Sequence, residues 1–428
     1  MAMHIEDKNA LKVLGVVFKK YRENSGYSLR GVSRSVNVSH TVISEIENGK
    51  IHPNIQTLKD LYGALELSIC TKKEVIEEMQ KHLSQLIHQI YFMQFSSAQT
   101  YFDVLKTNEN VLLHSPLRVD YLLTRALFLS CMGENDSDVV FDELNDIYDF
   151  MNDRQRQLYH FLIGYIAFKK QNIISSINAL KQGLTFKSNE KLDAMTQYYL
   201  AVTYHRIFQN HMSIHFCEES SKLFAKHNNI KRKIEMDLLR AHKMIDIGQF
   251  SEADDLLLSL RQALRMTYGE KTMRQRIEMY KAYLHFSKRE NNQTLKYLSF
   301  ETDDPNYRYQ LYLGAMVYFR KDKKERTVRL LKELADTRVK EEPLNKLSVI
   351  SNLFLNYLGE PMDETVLEKS IETFLRMPYG FPTIHLYYLT IDLIIYYVEN
   401  HKDFEKAMWM AKRIHEINKK RELNDTHT

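Results

Sequence analysis

A small or apolar residue recurs along this chain at Leu86, Ala126, Gly164, Ala201, Ala241, Ala282, Gly314, Leu353 and Ile395. The intervals are 40, 38, 37, 40, 41, 32, 39 and 42 residues. Self-similarity at such a period marks an array of helix pairs. One pair cannot bury its apolar face, but stacked pairs bury a continuous core, so the recurrence predicts a right-handed α-solenoid.

Composition supports this. Only 13 glycines and 7 prolines occur in 428 residues. Both residues punctuate turns and break helices, so their scarcity favours helices joined by short connections. A β-sandwich, a collagen-like chain and a Gly-rich nucleotide-binding fold are disfavoured. With 44% apolar and 11% aromatic residues the chain can bury a core, which excludes wholesale disorder. The net charge of +4 is too small to identify a polyanionic partner.

The first 66 residues read differently. They carry nine Lys/Arg and seven Asp/Glu, so charge does not set them apart; their pattern does. From Ser28 to Lys50 two short helices are joined by a tight turn. Ser28 and Ser39 are placed as N-caps. Val32 and Val36 share one face, and Val42, Ile43 and Ile46 point inward. Asn37 is expected to take left-handed geometry in the turn, and Gly49 to stop the second helix. Leu58, Leu61 and Leu65 continue the helical spacing beyond it.

Leu14-Gly15, Arg22, Ser39, Ile43-Ser44, Ile46-Glu47, Gly49 and Pro53 together resemble the helix-turn-helix of the Xre/Cro/repressor family, without a gap from Leu14 to about Ser68. The resemblance implies a second helix that enters the major groove. Ser39, His40, Thr41, Ser44 and Glu45 would then face base edges, while Arg30, Asn48 and Lys50 would hold phosphates. The chain departs from the family pattern at Leu29, Gly31 and Ser33. Its reading helix has no Arg or Lys, so the bidentate Arg–guanine contact is missing. The alternative is a helix-turn-helix kept as a protein-interaction module.

The stretch Ala241 to Ala253, with Gly248 and Phe250 between, resembles a tetratricopeptide repeat. The ending recurs at Asp403 to Ala407. The unit from Tyr159 to Leu184 is degenerate, with Gln171 in place of Gly and Ser176 in place of Ala. In such units the positions −3, +1 and +4 from the small residue line the groove. They are Phe161, Tyr165 and Phe168; Tyr198 and His205; His242; Tyr283 and Phe286; Tyr318; and Phe354 and Tyr357. Arg276 and Arg308 extend the stripe by a turn. An aromatic groove with two cations suits an extended apolar peptide whose carboxylate is held by Arg. The competing reading makes these aromatics ordinary core between repeats.

The expected fold class is therefore all-α. A five-helix N-terminal helix-turn-helix domain, residues 1–69, precedes a tetratricopeptide-like α-solenoid, residues 70–428, of about nine helix pairs. This layout resembles the peptide-pheromone receptors grouped as Rap/NprR/PlcR/PrgX/Rgg, and the NprR-like branch most of all. The resemblance implies a cytoplasmic transcription regulator that binds double-stranded operator DNA, of inverted-repeat form, as a homodimer. It also implies control by a short signalling peptide, whose backbone Asn352 and Asn356 would hold. Two alternatives stay open: a Rap-like adaptor that sequesters a signalling protein, and a mobile-element repressor controlled by a protein antirepressor.

Signs of other chemistry are weak. No GxxxxGK[ST], GxGxxG, GxSxG or HExxH motif occurs, so no enzymatic activity and no cofactor are expected. His211, His215 and Cys217 approach metal-ligand spacing but read as ordinary surface and core residues, and no metal is expected. Glu77-Glu78, Asp254-Asp255 and Asp303-Asp304 read as solvated acids, and Lys412 to Arg421 as the outer face of a terminal helix. Three cysteines, far apart and without a CxxC, fit a reducing compartment. The most hydrophobic stretch, Ile384 to Val398, contains Asp392 and is too short to span a bilayer, so no membrane partner is expected.

Overall fold

The computed structural model describes residues 7–133, 137–266, 271–335, 346–376 and 384–401, with Trp409 and Lys412. Asp403 to Ala407 and nearly all of the basic C-terminal stretch lie outside them. Among the described residues the chain is helical, without strands. It forms α1 (Lys8–Asn24), α2 (Leu29–Ser35), α3 (His40–Glu47), α4 (Ile55–Gly63), α5 (Lys73–Tyr91), α6 (Phe95–Thr107), α7 (Glu109–Leu113) and α8 (Arg118–Met132). Then come α9 (Ser137–Asp146), a 3-10 turn (Tyr148–Phe150), α10 (Asp153–Lys169), α11 (Ile173–Gly183), α12 (Glu190–Arg206), α13 (Asn210–Lys226), α14 (Ile230–Asp246) and α15 (Phe250–Met266). The last are α16 (Lys271–Ser287), α17 (Asn291–Lys296), α18 (Tyr307–Arg320), α19 (Lys324–Ala335), α20 (Lys346–Tyr357), α21 (Glu364–Arg376) and α22 (Ile384–His401). By contact density the chain divides into two compact units, Met1–Tyr199 and Leu200–Thr428. No helix of the described residues is long and apolar enough to cross a membrane.

In the first unit, α1 to α4 close around Leu14, Phe18, Val32, Ile43, Ile46, Leu58, Leu61 and Tyr62. Four helices rather than five lie before residue 70, because the next helix, α5, packs with α6. The caps follow the sequence: Ser28 accepts from the Gly31 N–H and Ser39 from the Val42 N–H. Asn37 departs from it. It is not among the residues with positive φ. Val36 (φ −126°, ψ 151°) is extended instead, and Ser33 Oγ donates to the Val38 carbonyl at 2.8 Å, so a side chain holds the turn that left-handed geometry was expected to make. Gly15 allows α1 and α3 to approach closely. A Cβ there would lie 2.7 Å from Ile46 Cγ2. Arg22 and Glu47, both buried, are joined by two bonds of 2.5 and 2.8 Å.

These four helices dock onto the helices that follow. Arg118, at the start of α8, donates to Tyr21 Oη of α1 (2.9 Å), to the Leu113 carbonyl (2.5 Å) and to Glu143 of α9 (2.8 Å). Its guanidinium carbon stands 5.6 Å from the Tyr21 ring centre. Burial opposes its charge, but Glu143 and Tyr21 outweigh burial and its pKa lies above the ordinary value. His114 packs against the rings of both Tyr21 and Tyr62. Gly49, which ends α3 at φ +63°, faces Phe150 so closely that a Cβ would lie 2.3 Å from its Cζ.

The recurring small residues fall in nine helices: α5, α8, α10, α12, α14, α16, α18, α20 and α22. Most of these pack against the helix that follows them and against the next helix of the same set. Close packing explains the small side chains. A Cβ on Gly164 would lie 2.5 Å from Leu180 Cγ, and one on Gly314 2.8 Å from Phe300 Cζ. A hydrogen bond recurs too. Ser176 Oγ donates to the Gly164 carbonyl and Ser213 Oγ to the Ala201 carbonyl, both at 2.9 Å. Ser176, read from sequence as a degenerate alanine, therefore ties the pair together. In the second unit one hydrophobic core runs from Ile234 on α14 to Tyr397 on α22.

Candidate functional site

The first candidate surface is the outer side of α3. The inward residues Ile43 and Ile46 leave Ser39, His40 and Thr41 exposed at its N-terminus, with Ser44 and Glu45 half-buried behind them. Arg30, Asn48 and Lys50 are exposed. Ser39 Oγ is already occupied as the helix cap. The Asn48 amide donates to the Ser44 carbonyl at 2.7 Å, so its orientation is fixed. The Lys50 N–H closes the helix on the Glu45 carbonyl at 2.8 Å, the bond of a Schellman stop. The seven predicted residues from Ser39 to Lys50 thus lie on α3 or at its ends, and Arg30 lies on α2, which packs against it. This surface carries polar donors with few charges.

The second candidate surface is the set of first helices. In the first unit the expected aromatics come together around a residue the stripe did not include, Tyr199. Its ring centre lies 4.8 Å from Tyr165, 5.5 Å from Phe168, 5.8 Å from Phe161 and 5.1 Å from Tyr198. Phe161 has no exposed surface, and Tyr165 and Phe168 are also buried. Tyr198 is half-buried. For the three buried rings the structure shows packing between helices.

In the second unit a ladder of rings crosses four first helices. His205 (α12) and His242 (α14) are 5.5 Å apart. His242 lies 5.2 Å from Tyr280 and 5.3 Å from Tyr283 on α16. Tyr283 is 6.2 Å from Tyr309 on α18. Beneath the ladder Asp246 accepts from Tyr283 Oη at 2.7 Å and from Lys243 Nζ, and both side chains of that ion pair are fully enclosed. Burial, then the Lys243 charge, holds both imidazoles well below their ordinary pKa. They are therefore neutral at pH 7, each with one donor and one acceptor. His205 Nδ1, His242 Nε2 and Tyr309 Oη are buried without a hydrogen-bond partner. Unsatisfied buried polar atoms are costly and uncommon, so this cluster stands out chemically. Tyr280 and Tyr309 lay outside the sequence stripe. Both are half-buried, and Tyr280 stands one residue from Met279, the stripe position −3 from Ala282.

The other expected contacts are used differently. Phe286 is buried under the Arg320 guanidinium, 3.9 Å from its ring centre, and Tyr318 lies beneath Arg326. Arg308 donates to the Leu334 carbonyl and to Ser348 Oγ, which ties α18 to the next pair. Arg276 is half-buried. Asn352 is buried and donates to Ser370 Oγ of α21 at 3.1 Å; Asn356 is half-buried. Asp304 is not solvated as expected. It is buried and accepts from Gln310 and Asn306. Asp254 pairs with Lys281 while its own side chain stays about half exposed. Cys217 is buried and its thiol pKa is pushed up by that burial, whereas His211 and His215 are exposed; among the described residues no group of three or more His, Cys, Asp or Glu is placed to hold a metal ion.

Comparison with known proteins follows the same division. A helix-turn-helix family model matches residues 18–71. No protein of curated description matches the chain. Among solved structures, a Rap protein complexed with competence and sporulation factor superposes with a TM-score of 0.58 at 16% identity, over 81% of this chain and 99% of that one. The apo form of the quorum sensor NprR from B. thuringiensis gives 0.56 at 17% identity, over 75% and 99%. NprR in complex with its cognate peptide NprX gives 0.56 at 16% identity, over 79% and 99%. The chain thus carries a region that matches a helix-turn-helix family and shares the helical-repeat fold of the Rap and NprR structures.

Proposed function

We propose that this protein is a DNA-binding transcription regulator whose repeats bind a short peptide that alters its hold on DNA. The observation that carries the reading is a pairing within one chain. An exposed, polar α3 end rests on Phe150 while Arg118 holds α1 to the helices that follow, and the second unit's first helices carry rings whose buried polar atoms lack partners. Neutral imidazole and phenol groups beside aromatic faces suit the amide groups and apolar side chains of an extended peptide. The reading takes the DNA as an operator of two half-sites bound by a homodimer, since one module with few charges binds weakly. The NprR structure in complex with its cognate peptide NprX supports it as a similar fold.

The test is selection from a random double-stranded DNA library with the purified full-length chain. An inverted repeat should be enriched, and addition of a candidate peptide should shift affinity at least fivefold, the lower range of an allosteric coupling. Enrichment of no sequence would defeat the DNA reading. Enrichment without response to any peptide encoded beside the gene would defeat the peptide reading.

A further inference from the structure

A cavity of about 310 Å³ lies in the first unit between α5, α8, α10 and α12. Tyr91, Leu127, Leu158, Leu192 and Met195 form the apolar part of its walls, beside polar groups of Ser84, Gln85 and Asn189. One carboxylate, Asp120, opens into it. That group is poorly compensated. Among the described residues its one hydrogen bond is from Gln155 Nε2, 3.0 Å from Oδ2. The Gln155 amide cannot turn away, because its oxygen accepts from the Asn152 N–H in the capping box of α10. Burial raises the Asp120 pKa, Arg154 and Gln155 lower it, and Asp7 at the start of α1 adds to the rise. An enclosed carboxylate with one neutral donor is a site awaiting a cation.

The cations near the cavity do not fill that role. Lys191 Nζ stands over the rings of Tyr91 and Phe92, at 5.5 and 6.0 Å. Arg154 is exposed, and its charge lowers the Asp120 pKa without reversing the rise that burial causes. His88 is held neutral at pH 7 by burial and by Lys191. The cavity thus has an enclosed carboxyl group whose ionisation a cation would favour, an apolar portion and two positive groups among its lining residues.

We propose that this cavity binds a basic amino-acid residue with a free carboxylate, its ammonium or guanidinium on Asp120, its stem against Leu127, Leu158 and Met195, and its carboxylate toward Lys191 and Arg154. Free arginine or lysine and a peptide ending in either share this chemistry. The assignment does not rest on the DNA-binding or peptide readings of the preceding section. It has a structural bearing on them, since Asp120 and Arg118, which holds α1, share the first turn of α8.

Calorimetric titration of the full-length protein tests the proposal. The probes are L-arginine, L-lysine, Nα-acetyl-L-arginine as mimic of a peptide C-terminus, argininamide without the carboxylate, and L-citrulline without the charge. Arginine, lysine or the acetyl derivative should bind at least tenfold more tightly than citrulline and argininamide. Tighter binding of the free amino acids would identify them as the source, and tighter binding of the acetyl form would identify a peptide end. Asp120→Asn should weaken binding at least tenfold while leaving the melting temperature equal or higher, because it removes an uncompensated charge. Lys191→Gln should weaken arginine but leave argininamide unchanged. Absence of heat with every probe, equal binding of citrulline, or full binding by Asp120→Asn would overturn the proposal.

Discussion

Replacing Arg118 by Met would release the helix-turn-helix from the repeats while keeping the side-chain stem. Loss of one partner from a buried ion pair costs about 3–5 kcal/mol. The Glu143 side chain is 22% exposed, so water can partly replace the guanidinium, and about 2 kcal/mol is the fairer figure. The abandoned Leu113 carbonyl and Tyr21 hydroxyl add about 1 kcal/mol between them, given that such terms overlap. A total of about 3 kcal/mol corresponds to roughly a hundredfold change in equilibrium. Hydrogen exchange of the full-length chain reads where this loss falls. Peptides from α1 and α4 should exchange ten- to a hundredfold faster in Arg118→Met, and those from α14 and α16 should be unchanged. Tyr21→Phe, which removes a single hydrogen bond, should produce a smaller change in the same helices. If α1 and α4 kept their protection in a folded Arg118→Met protein, the docking role assigned to this residue would be refuted.

Gly49→Ala meets both a left-handed φ and the Phe150 ring, and should lower stability by about 2–4 kcal/mol. Phe150→Ala in the same chain should recover the steric part only, as a thermal double-mutant cycle would reveal. Glu47→Gln should unfold or strongly destabilise the first four helices, by about 3–5 kcal/mol, whereas a paired apolar replacement of Arg22 and Glu47 should be milder. Acid should weaken the second unit. His205 and His242 have depressed pKa values, so below about pH 6.5 the unfolded chain binds protons that the native one refuses. Stability is then full above pH 6.5 and falls by up to about 1.4 kcal/mol per pH unit for each imidazole; denaturant melts of His242→Gln should show about half that slope. On selected DNA, Lys50→Ala should lower affinity across all sequences and reduce the salt slope by about one, while Thr41→Ala should relax preference at one base position.

Much of this architecture could be read from residue spacing. The helix-turn-helix was legible because caps, inward positions and the Gly49 stop constrain one another within a few residues. Asn37 misled because residue type alone signalled a left-handed turn, while the actual turn is held by Ser33, five residues before the carbonyl it binds. The small residues marked the first helices correctly because a Cβ clash leaves no alternative at Gly164 or Gly314. The groove was less legible. A stripe counted from one helix cannot tell which rings its neighbours cover, so Phe161 and Phe286 lie buried. Asn352 found Ser370, eighteen residues away. Tyr199, Tyr280 and Tyr309 matter through contacts between pairs, which no local pattern encodes.

The seating of Phe150 against Gly49 bears on how DNA spacing would be read. A reading helix on a loose tether samples many positions, so it tolerates half-sites at many separations. Here the end of α3 rests on a ring that belongs to the turn before α10, and α1 is held by α8. In a dimer of such chains, adding one base pair between half-sites moves the second by about 3.4 Å and turns it by about a tenth of a helical turn. A seated reader must then strain its dock or bend the DNA. The protein should therefore behave as a ruler, with affinity falling sharply on either side of one spacer length.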